Sequence, residues 1–288
     1  MIYVVNAAIN SGNGAWILLE CTGGALQVAP ATQPQHAVQL GQVGHGQCRL
    51  SVTDATHLKL SPFNGNNLII NGVPQQIPGA GVTITNASLA ASTLYYVYAY
   101  MNAGSIALEL SATGHTTGTT GIEQKTGDAT RTLVGMIRTT SASQFANSAL
   151  QVFCLNWFNR QLLRGIATLL TDVNFTNNSS GELTSALRVE FIVWADNDGG
   201  LTQTNGRMSC NTSGGAVQAL QCMDGAAYGN LQEMSVSGTT FSRLPFTSGT
   251  LVNGLTEGYH LSTLFGATSS GSSATLLGGA NNLVQVRG

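Results

Sequence analysis

The fold class is decided by two neighbouring stretches near the end of the chain, Leu255-Thr-Glu-Gly-Tyr-His-Leu-Ser-Thr-Leu-Phe-Gly-Ala-Thr-Ser-Ser-Gly-Ser-Ser-Ala-Thr-Leu-Leu-Gly278 and Leu283-Val-Gln-Val-Arg287. Short apolar runs alternate here with Gly/Ser turns, a pattern typical of three short strands. A terminal segment is ordered only where pairing ties it down. The sequence therefore predicts a β fold that closes on its own last strands.

The composition points the same way. Charged residues make up 8% of the 288 residues, compared with about 25% in ordinary soluble domains. Hydrophobic residues make up 43%, so the chain lacks the low hydrophobicity that keeps a segment disordered. Ser, Thr, Asn, Gln and the 35 glycines fill the place of charge, and several of these residue types favour turns over helices. We expect a turn-rich, all-β chain.

The distribution of charge bears on partners. The chain has two lysines, Lys59 and Lys125, and its nine arginines are scattered singly. No basic stripe can neutralise a run of phosphates, so we expect no nucleic-acid partner. Few lysines also leave strand edges poorly protected against strand addition. The sequence therefore favours an oligomer that hides those edges.

The N-terminal sequence Met1-Ile-Tyr-Val-Val-Asn6 lacks the charged and apolar regions of a signal peptide, and no apolar run reaches the roughly 20 residues needed to span a bilayer. We expect synthesis in the cytoplasm and no membrane insertion. The odd number and the wide spacing of the cysteines suit neither a disulfide framework nor a zinc site. We expect buried thiols, with Cys210 and Cys222 as the pair if one bridge forms; the five are Cys21, Cys48, Cys154, Cys210 and Cys222.

We divide the chain into three regions: an N-terminal arm (1–48), a small antiparallel β domain (49–159) and a C-terminal jelly-roll-like β sandwich (160–288). Residues 1–48 are the least regular, with an isolated apolar run at 15–20 and two prolines four residues apart. They contain too little core for a free-standing domain. We interpret them as an arm that docks on another protein; the alternative is a simple extension of the next domain.

The clearest strand of the middle region is Leu94-Tyr-Tyr-Val-Tyr-Ala-Tyr-Met101, in which Tyr96, Tyr98 and Tyr100 share one face. A turn at 102–104 and the alternating run 105–110 complete a hairpin with one face buried. The tyrosine row fits either a sugar-binding platform or ordinary strand packing, and aromatic enrichment in strands favours packing.

The strand pattern of the C-terminal region is Leu187-Arg-Val-Glu-Phe-Ile-Val-Trp194, which becomes apolar on both faces towards its end. A strand covered on both sides fits a two-sheet sandwich, or a sheet whose outer face meets another subunit. Turn clusters at 196–200, 211–215 and 224–225 complete the antiparallel pattern.

No motif supports a catalytic, cofactor-binding or metal-binding assignment, and we name no site residue. Asp196 and Asp198 resemble the start of a calcium loop, but Arg207 stands where such a loop needs its bidentate Glu, so a turn is the better interpretation. The histidines lack metal-ligand spacing, and no nucleophile elbow is present. Paired carboxylates for glycoside hydrolysis stay open, since such pairs meet only in the fold.

Three stretches resemble bacteriophage tail-fibre and related virion-appendage proteins. Residues 30–42, Pro-Ala-Thr-Gln-Pro-Gln-His-Ala-Val-Gln-Leu-Gly-Gln, are similar to the virion-proximal part of such fibres. Residues 93–110 and 122–136 are similar to a β module of phage structural proteins. Residues 258–266 and 271–276 resemble the closing strands of a trimeric, tumour-necrosis-factor-like jelly roll at a fibre tip.

The resemblance implies a non-enzymatic virion protein that forms a short homotrimeric fibre or spike. Residues 1–48 would attach it to other virion proteins, such as a tail adaptor, portal-proximal or capsid protein. The C-terminal domain would face outward and recognise host surface polysaccharide. Long repeats and coiled-coil heptads are absent from the sequence, so a capsid decoration or cement protein is the alternative. A glycan depolymerase is a third hypothesis.

Overall fold

The computed structural model describes residues 2–5, 16–19, 44–195, 200–269 and 271–288. The chain forms two compact units, Met1–Gly44 and His45–Gly288. In the first unit, strand β1 (Ile2–Val5) pairs antiparallel with β2 (Trp16–Leu19). Most of the arm predicted at 1–48, Cys21 and the turn predicted at Asp196–Asp198 lie outside the described residues.

The second unit begins with two small antiparallel sheets. The first has the order β3-β4-β7, and the second is the hairpin β5-β6. The leucines of β3, β4 and β5 alternate with more exposed residues, so they share one face of their strands and pack into one core. The bounds are β3 (Cys48–Asp54), β4 (His57–Pro62), β5 (Asn67–Ile70), β6 (Val73–Gln76) and β7 (Val82–Thr85).

The next sheet, here called the tyrosine sheet, has the order β10-β11-β12-β8-β9, with β14 paired to β12. The predicted hairpin is confirmed, since β8 and β9 pair in register from Tyr96 opposite Ser111 to Asn102 opposite Ser105. Gly135 lets β14 approach, because a Cβ there would lie 2.5 Å from the Leu155 carbonyl oxygen. The bounds are β8 (Leu94–Asn102), β9 (Ser105–Ser111), β10 (His115–Thr117), β11 (Glu123–Lys125), β12 (Asp128–Arg138) and β14 (Cys154–Asn156).

The remaining strands form the predicted sandwich of two sheets. The β24 sheet has the order β13-β18-β24-β20-β21, with β17 paired to β24 and β22 to β20. Its one parallel pair among the described strands joins β13 to β18. The bounds are β13 (Gln151–Val152), β17 (Gly181–Glu182), β18 (Val189–Val193), β20 (Ala216–Met223), β21 (Ala226–Ala227), β22 (Gln232–Ser235) and β24 (Gly258–Thr268).

The β19 sheet, the other layer, has the order β15-β26-β19-β25-β16, with β23 paired to β19. The last strand of the chain is tied down as predicted, because β26 pairs with β15 from Asn281 opposite Thr168 to Arg287 opposite Leu162. The bounds are β15 (Leu162–Thr168), β16 (Val173–Phe175), β19 (Gly200–Cys210), β23 (Phe241–Val252), β25 (Ala274–Leu276) and β26 (Asn281–Arg287).

Two apolar clusters fill the space between these sheets, with β18 and β20 contributing from one layer and β26 and β19 from the other. A buried polar layer crosses the same interior. The Gln221 side chain accepts from Thr204 and donates to Ser262 at 2.8 Å, and Asn282 donates to the Leu187 carbonyl at 2.9 Å. These polar atoms are satisfied, so the layer fixes how the two sheets are aligned.

The strand predicted at 187–194 begins two residues later, at Val189. Thr184 caps a 3₁₀ turn at Ser185–Leu187, and this turn takes the place of the first predicted strand residues. Both faces of β18 are covered, as predicted. One face lies in the sandwich interior, whereas Ile192 and Trp194 pack against Tyr98 and Met136 of the tyrosine sheet. The outer face of β18 therefore meets the preceding part of the same chain, across the predicted boundary at residue 159.

The cysteines that the structure describes are buried free thiols, as expected. Cys210 and Cys222 are both free and buried, and they lie on β19 and β20, which belong to different layers of the sandwich. Cys48 and Cys154 are also free and buried. Burial raises the pKa of Cys222 to about 11 and that of Cys154 to about 12. These thiols stay protonated at neutral pH, as structural cysteines do.

Candidate functional site

A polar cluster with two carboxylates, an imidazole and a phenol lies where the tyrosine sheet meets the sandwich. His115 is the first residue of β10 and Glu123 the first of β11, and the antiparallel register of these strands brings the two side chains together. Tyr96 contributes from β8. Glu257 comes from the opposite side, in the residues that lead into β24.

The imidazole of His115 is held between the two carboxylates. Its Nδ1 lies 2.5 Å from Oε2 of Glu123, and its Nε2 lies 3.3 Å from Oε1 of Glu257. Glu257 also accepts from the Tyr96 hydroxyl at 2.6 Å and from the Ala195 amide at 3.2 Å. Glu123 accepts in addition from the Thr117 hydroxyl. Every member of the cluster has a partner.

Aromatic rings enclose this cluster. The His115 ring centroid lies 5.2 Å from that of Trp157, 5.8 Å from that of Trp194 and 5.6 Å from that of Tyr96. The Arg160 guanidinium lies over Trp157, 4.5 Å from its ring centroid. This packing leaves the side chains of His115, Glu123 and Glu257 no more than 18% exposed. Low exposure strengthens their electrostatic interactions.

The electrostatics follow from these contacts. The hydrogen bond to Glu257 raises the pKa of His115, and Glu123 adds to this effect against the opposing effect of burial. Burial raises the pKa of Glu257, but hydrogen bonds from His115, Tyr96 and Ala195 together outweigh burial, so the net shift is downward. Burial and the bond to Glu257 raise the pKa of Tyr96. The arrangement favours an imidazolium between two carboxylates.

The cluster also bears on the carboxylate pairs left open by the sequence. Glu123 and Glu257 do come together in the fold, but they face opposite nitrogens of one imidazole, so the ring fills the space between them. In an inverting glycosidase that space holds the scissile bond and a water. Within the described residues, no group of three or more His, Cys, Asp or Glu side chains is arranged to hold a metal ion.

The tyrosines singled out in the sequence have different environments. Tyr98 is fully buried, and its hydroxyl donates to the Thr113 carbonyl at 2.9 Å. Tyr96 belongs to the histidine cluster, and the Arg131 guanidinium lies over the ring of Tyr100. The row is strand packing with Tyr98 fully buried and its two neighbours partly buried, the interpretation that aromatic enrichment in strands favours.

A second surface of interest is the outer face of the β19 sheet. Ile166 lies opposite Leu283, and Leu201 lies opposite Leu251. Leu283 and Leu201 are diagonal neighbours, because Leu283 pairs with Gln203 two residues along β19. These four residues form what we call the aliphatic band, which crosses four strands. Ile166 is 44% and Leu251 59% exposed.

The surroundings of the aliphatic band are polar but uncharged. Alternation places Gln203 and Asn205 of β19, and Asn281 and Gln285 of β26, on the same face. The charged side chains of these strands on this face are arginines at its margins, Arg164 on β15 and Arg207 and Arg287 towards the strand ends. The centre of this face thus presents apolar, amide and hydroxyl groups.

A groove of about 400 Å³ lies at the edge of the β24 sheet. Its floor is fixed by hydrogen bonds, since the Glu190 carboxylate accepts from Tyr259 at 2.7 Å and from Gln151 at 2.8 Å. Arg188 is held by Glu182 in a two-bond pair. Leu150 lines the same groove and is 52% exposed. The groove combines an apolar wall with fixed polar groups.

No protein-family model matches the chain, and no curated protein matches it. Among solved structures, the chain is similar to a mutant VP2 protein of infectious bursal disease virus from derived T=1 particles, with 12% identity over 85% of this chain and 76% of that chain and a TM-score of 0.27. A structure of the Gx strain of the same virus shows 12% identity over 84% and 77%, with a TM-score of 0.19. Scores of this size establish no shared fold. Among the described residues, no helix is long and apolar enough to cross a membrane.

Proposed function

We propose that the chain is a virion structural protein that forms a short homotrimeric fibre or spike. The observation that carries the proposal is the aliphatic band on the outer face of the β19 sheet. Large exposed apolar patches in soluble proteins mark interaction surfaces. In a chain with 8% charged residues, a sheet face with charges only at its margins favours association of subunits over solvation as monomers.

A second copy of the chain is the occupant that the chemistry favours. Side-chain amides both donate and accept, so the amides beside the aliphatic band can pair with amides of an identical subunit. Four strands about 4.8 Å apart and about seven residues long cover roughly 450 Å² in projection. A standard interface buries about 800 Å² per partner, so this sheet face supplies the centre of the contact and neighbouring loops its rim.

The separate first unit supports the attachment role. Residues Met1–Gly44 form a compact unit of their own, which suits a segment that docks on another virion protein, such as a tail adaptor, portal-proximal or capsid protein. The groove at Glu190 and Tyr259 suits a neutral sugar, because preorganised polar groups beside an apolar wall are what such a ligand uses. Three copies in one trimer would raise weak glycan binding by avidity.

The test is to purify particles of the virus that encodes the chain, with and without its gene, and to measure composition, host adsorption and particle stability. The fibre proposal predicts that the chain is present in wild-type particles and that particles lacking it keep their heat stability but lose adsorption. Loss of stability with normal adsorption would replace the fibre by a cement protein. Absence of the chain from purified particles would overturn the proposal.

A further inference from the structure

The histidine cluster joins two parts of the second unit that are far apart in sequence. Glu123 and His115 belong to the tyrosine sheet, whereas Glu257 is 142 residues from His115 and leads into the central strand of the sandwich. The backbone amide of Ala195, which follows β18, donates to Oε2 of Glu257 at 3.2 Å. One contact between the two parts thus runs through this imidazole ring, beside the Tyr96–Glu257 hydrogen bond and the packing of Trp194.

Both nitrogens of that ring face carboxylate oxygens. Only the imidazolium has a proton on each nitrogen, so only the protonated ring donates to Glu123 and Glu257 at once. In the neutral ring one nitrogen carries a lone pair, which would face a poorly exposed carboxylate. A carboxylate that loses its hydrogen-bond donor is left unsatisfied, so the contact weakens on the side where the ring nitrogen has lost its proton.

We propose that His115, Glu123 and Glu257 form a pH-dependent latch, which holds the tyrosine sheet to the sandwich at mildly acidic pH and loosens as the pH rises. This property is independent of the proposed virion role. The ionisable groups around the ring are Glu123 from β11, Tyr96 and Tyr98 from β8, Glu257 from the sandwich and Arg160 over Trp157.

The sign follows from the direction of each shift. The pKa of His115 is raised above 6.5 in the folded protein, so its stabilisation is fully present below pH 6.5 and is lost as the pH rises through the raised value. The pKa of Glu257 is lowered from 4.5, so its stabilisation is present above pH 4.5 and is lost as the pH falls through the lowered value. Both contributions are complete between pH 4.5 and 6.5.

The direct test is an NMR titration of the imidazole signals in the full chain, with the His115 signal assigned by its loss in His115→Gln. We expect His115 to titrate above pH 6.5. In Glu257→Gln the amide still accepts from Tyr96 and Ala195, but the charge is gone, and the midpoint of His115 should fall by about 1 pH unit or more. The control is His57→Gln, which removes an exposed histidine paired with Asp54 and should leave the His115 midpoint unchanged.

A second readout is tryptophan fluorescence in a Trp16→Phe background, which leaves Trp157 and Trp194 as the reporters. An imidazolium beside an indole quenches its emission, so emission should rise with pH at the NMR midpoint, and this step should vanish in His115→Gln. If His115→Gln fails to fold, the fluorescence titration of the otherwise wild-type chain still decides, because the His115 ring lies beside both indoles. A His115 midpoint at or below 6.5, or an unchanged midpoint in Glu257→Gln, would overturn the latch.

Discussion

Trp194 and Trp157 pack edge to face, with ring centroids 5.0 Å apart and ring planes at 81°. Trp194 follows β18 of the sandwich, and Trp157 follows β14 of the tyrosine sheet. The Trp194 indole N–H also donates to the Asn156 carbonyl at 3.1 Å. Trp194 is fully buried. The pair is the apolar counterpart of the histidine latch and fixes the two β regions to each other.

Removing the fully buried partner, Trp194, tests that statement. Trp194→Ala should lower the free energy of unfolding by about 3–5 kcal/mol, the usual cost of truncating a buried aromatic side chain. Trp194→Phe keeps an aromatic ring but loses the hydrogen bond to Asn156 and should cost less. Urea denaturation followed by circular dichroism measures both. A loss below about 1 kcal/mol in Trp194→Ala would contradict this role of the pair.

The polar layer inside the sandwich makes a separate prediction. Gln221→Leu removes a hydrogen-bond partner of the Thr204 and Ser262 hydroxyls. It should lower the free energy of unfolding by about 1–3 kcal/mol. Gln76→Leu, at an exposed position on β6, is the matched control and should stay within about 0.5 kcal/mol. Equal stability of the two variants would mean that the layer does not stabilise the sandwich.

The cysteines predict a labelling pattern. In Cys21→Ser, the remaining cysteines are four buried free thiols, Cys48, Cys154, Cys210 and Cys222. A thiol reagent at pH 7.5 should react slowly or not at all with the native protein, because burial makes these groups inaccessible. Four equivalents should react after unfolding without a reductant. Recovery of only two would reveal a disulfide.

The aliphatic band predicts the effect of a charge on association. Leu201→Asp combined with Leu251→Asp places two carboxylates in the centre of the proposed interface and should convert the oligomer to monomers. The monomer should stay folded, because both side chains point away from the sandwich interior. Val73→Asp, which charges an exposed valine on the β5-β6 hairpin, is the control and should leave the mass unchanged. An intact oligomer in the double variant would place the interface elsewhere.

The first unit predicts the result of a deletion. We expect a chain that begins at residue 45 to fold and to keep its oligomeric state, but to be lost from particles. The cut is placed there because Gln47 is held to Asn67 by its backbone and side chain, and Cys48 lies in the core. Particle incorporation is measured against the full chain. A deleted protein that still loads onto particles would contradict the attachment role.

Local patterns predicted much of this architecture. Alternation identified the hairpin that contains Tyr98, and the apolar run around Phe191 identified a strand covered on both faces, because these signals depend on neighbouring residues alone. Pairing across the fold was not predictable in this way. Nothing near Glu257 in the sequence points to His115, and single histidines without motif spacing gave no signal. The run of tyrosines predicted a possible sugar platform, but Tyr98 lies in the core and Tyr96 donates a hydrogen bond to Glu257 of the histidine cluster.

The measurement that tests the central claim most directly is the absolute mass of the purified full-length protein by multi-angle light scattering. The account predicts a homotrimer, with three times the 29.9 kDa subunit mass, over a wide range of concentrations. A mass of 29.9 kDa at all concentrations would contradict a fibre built on the outer face of the β19 sheet.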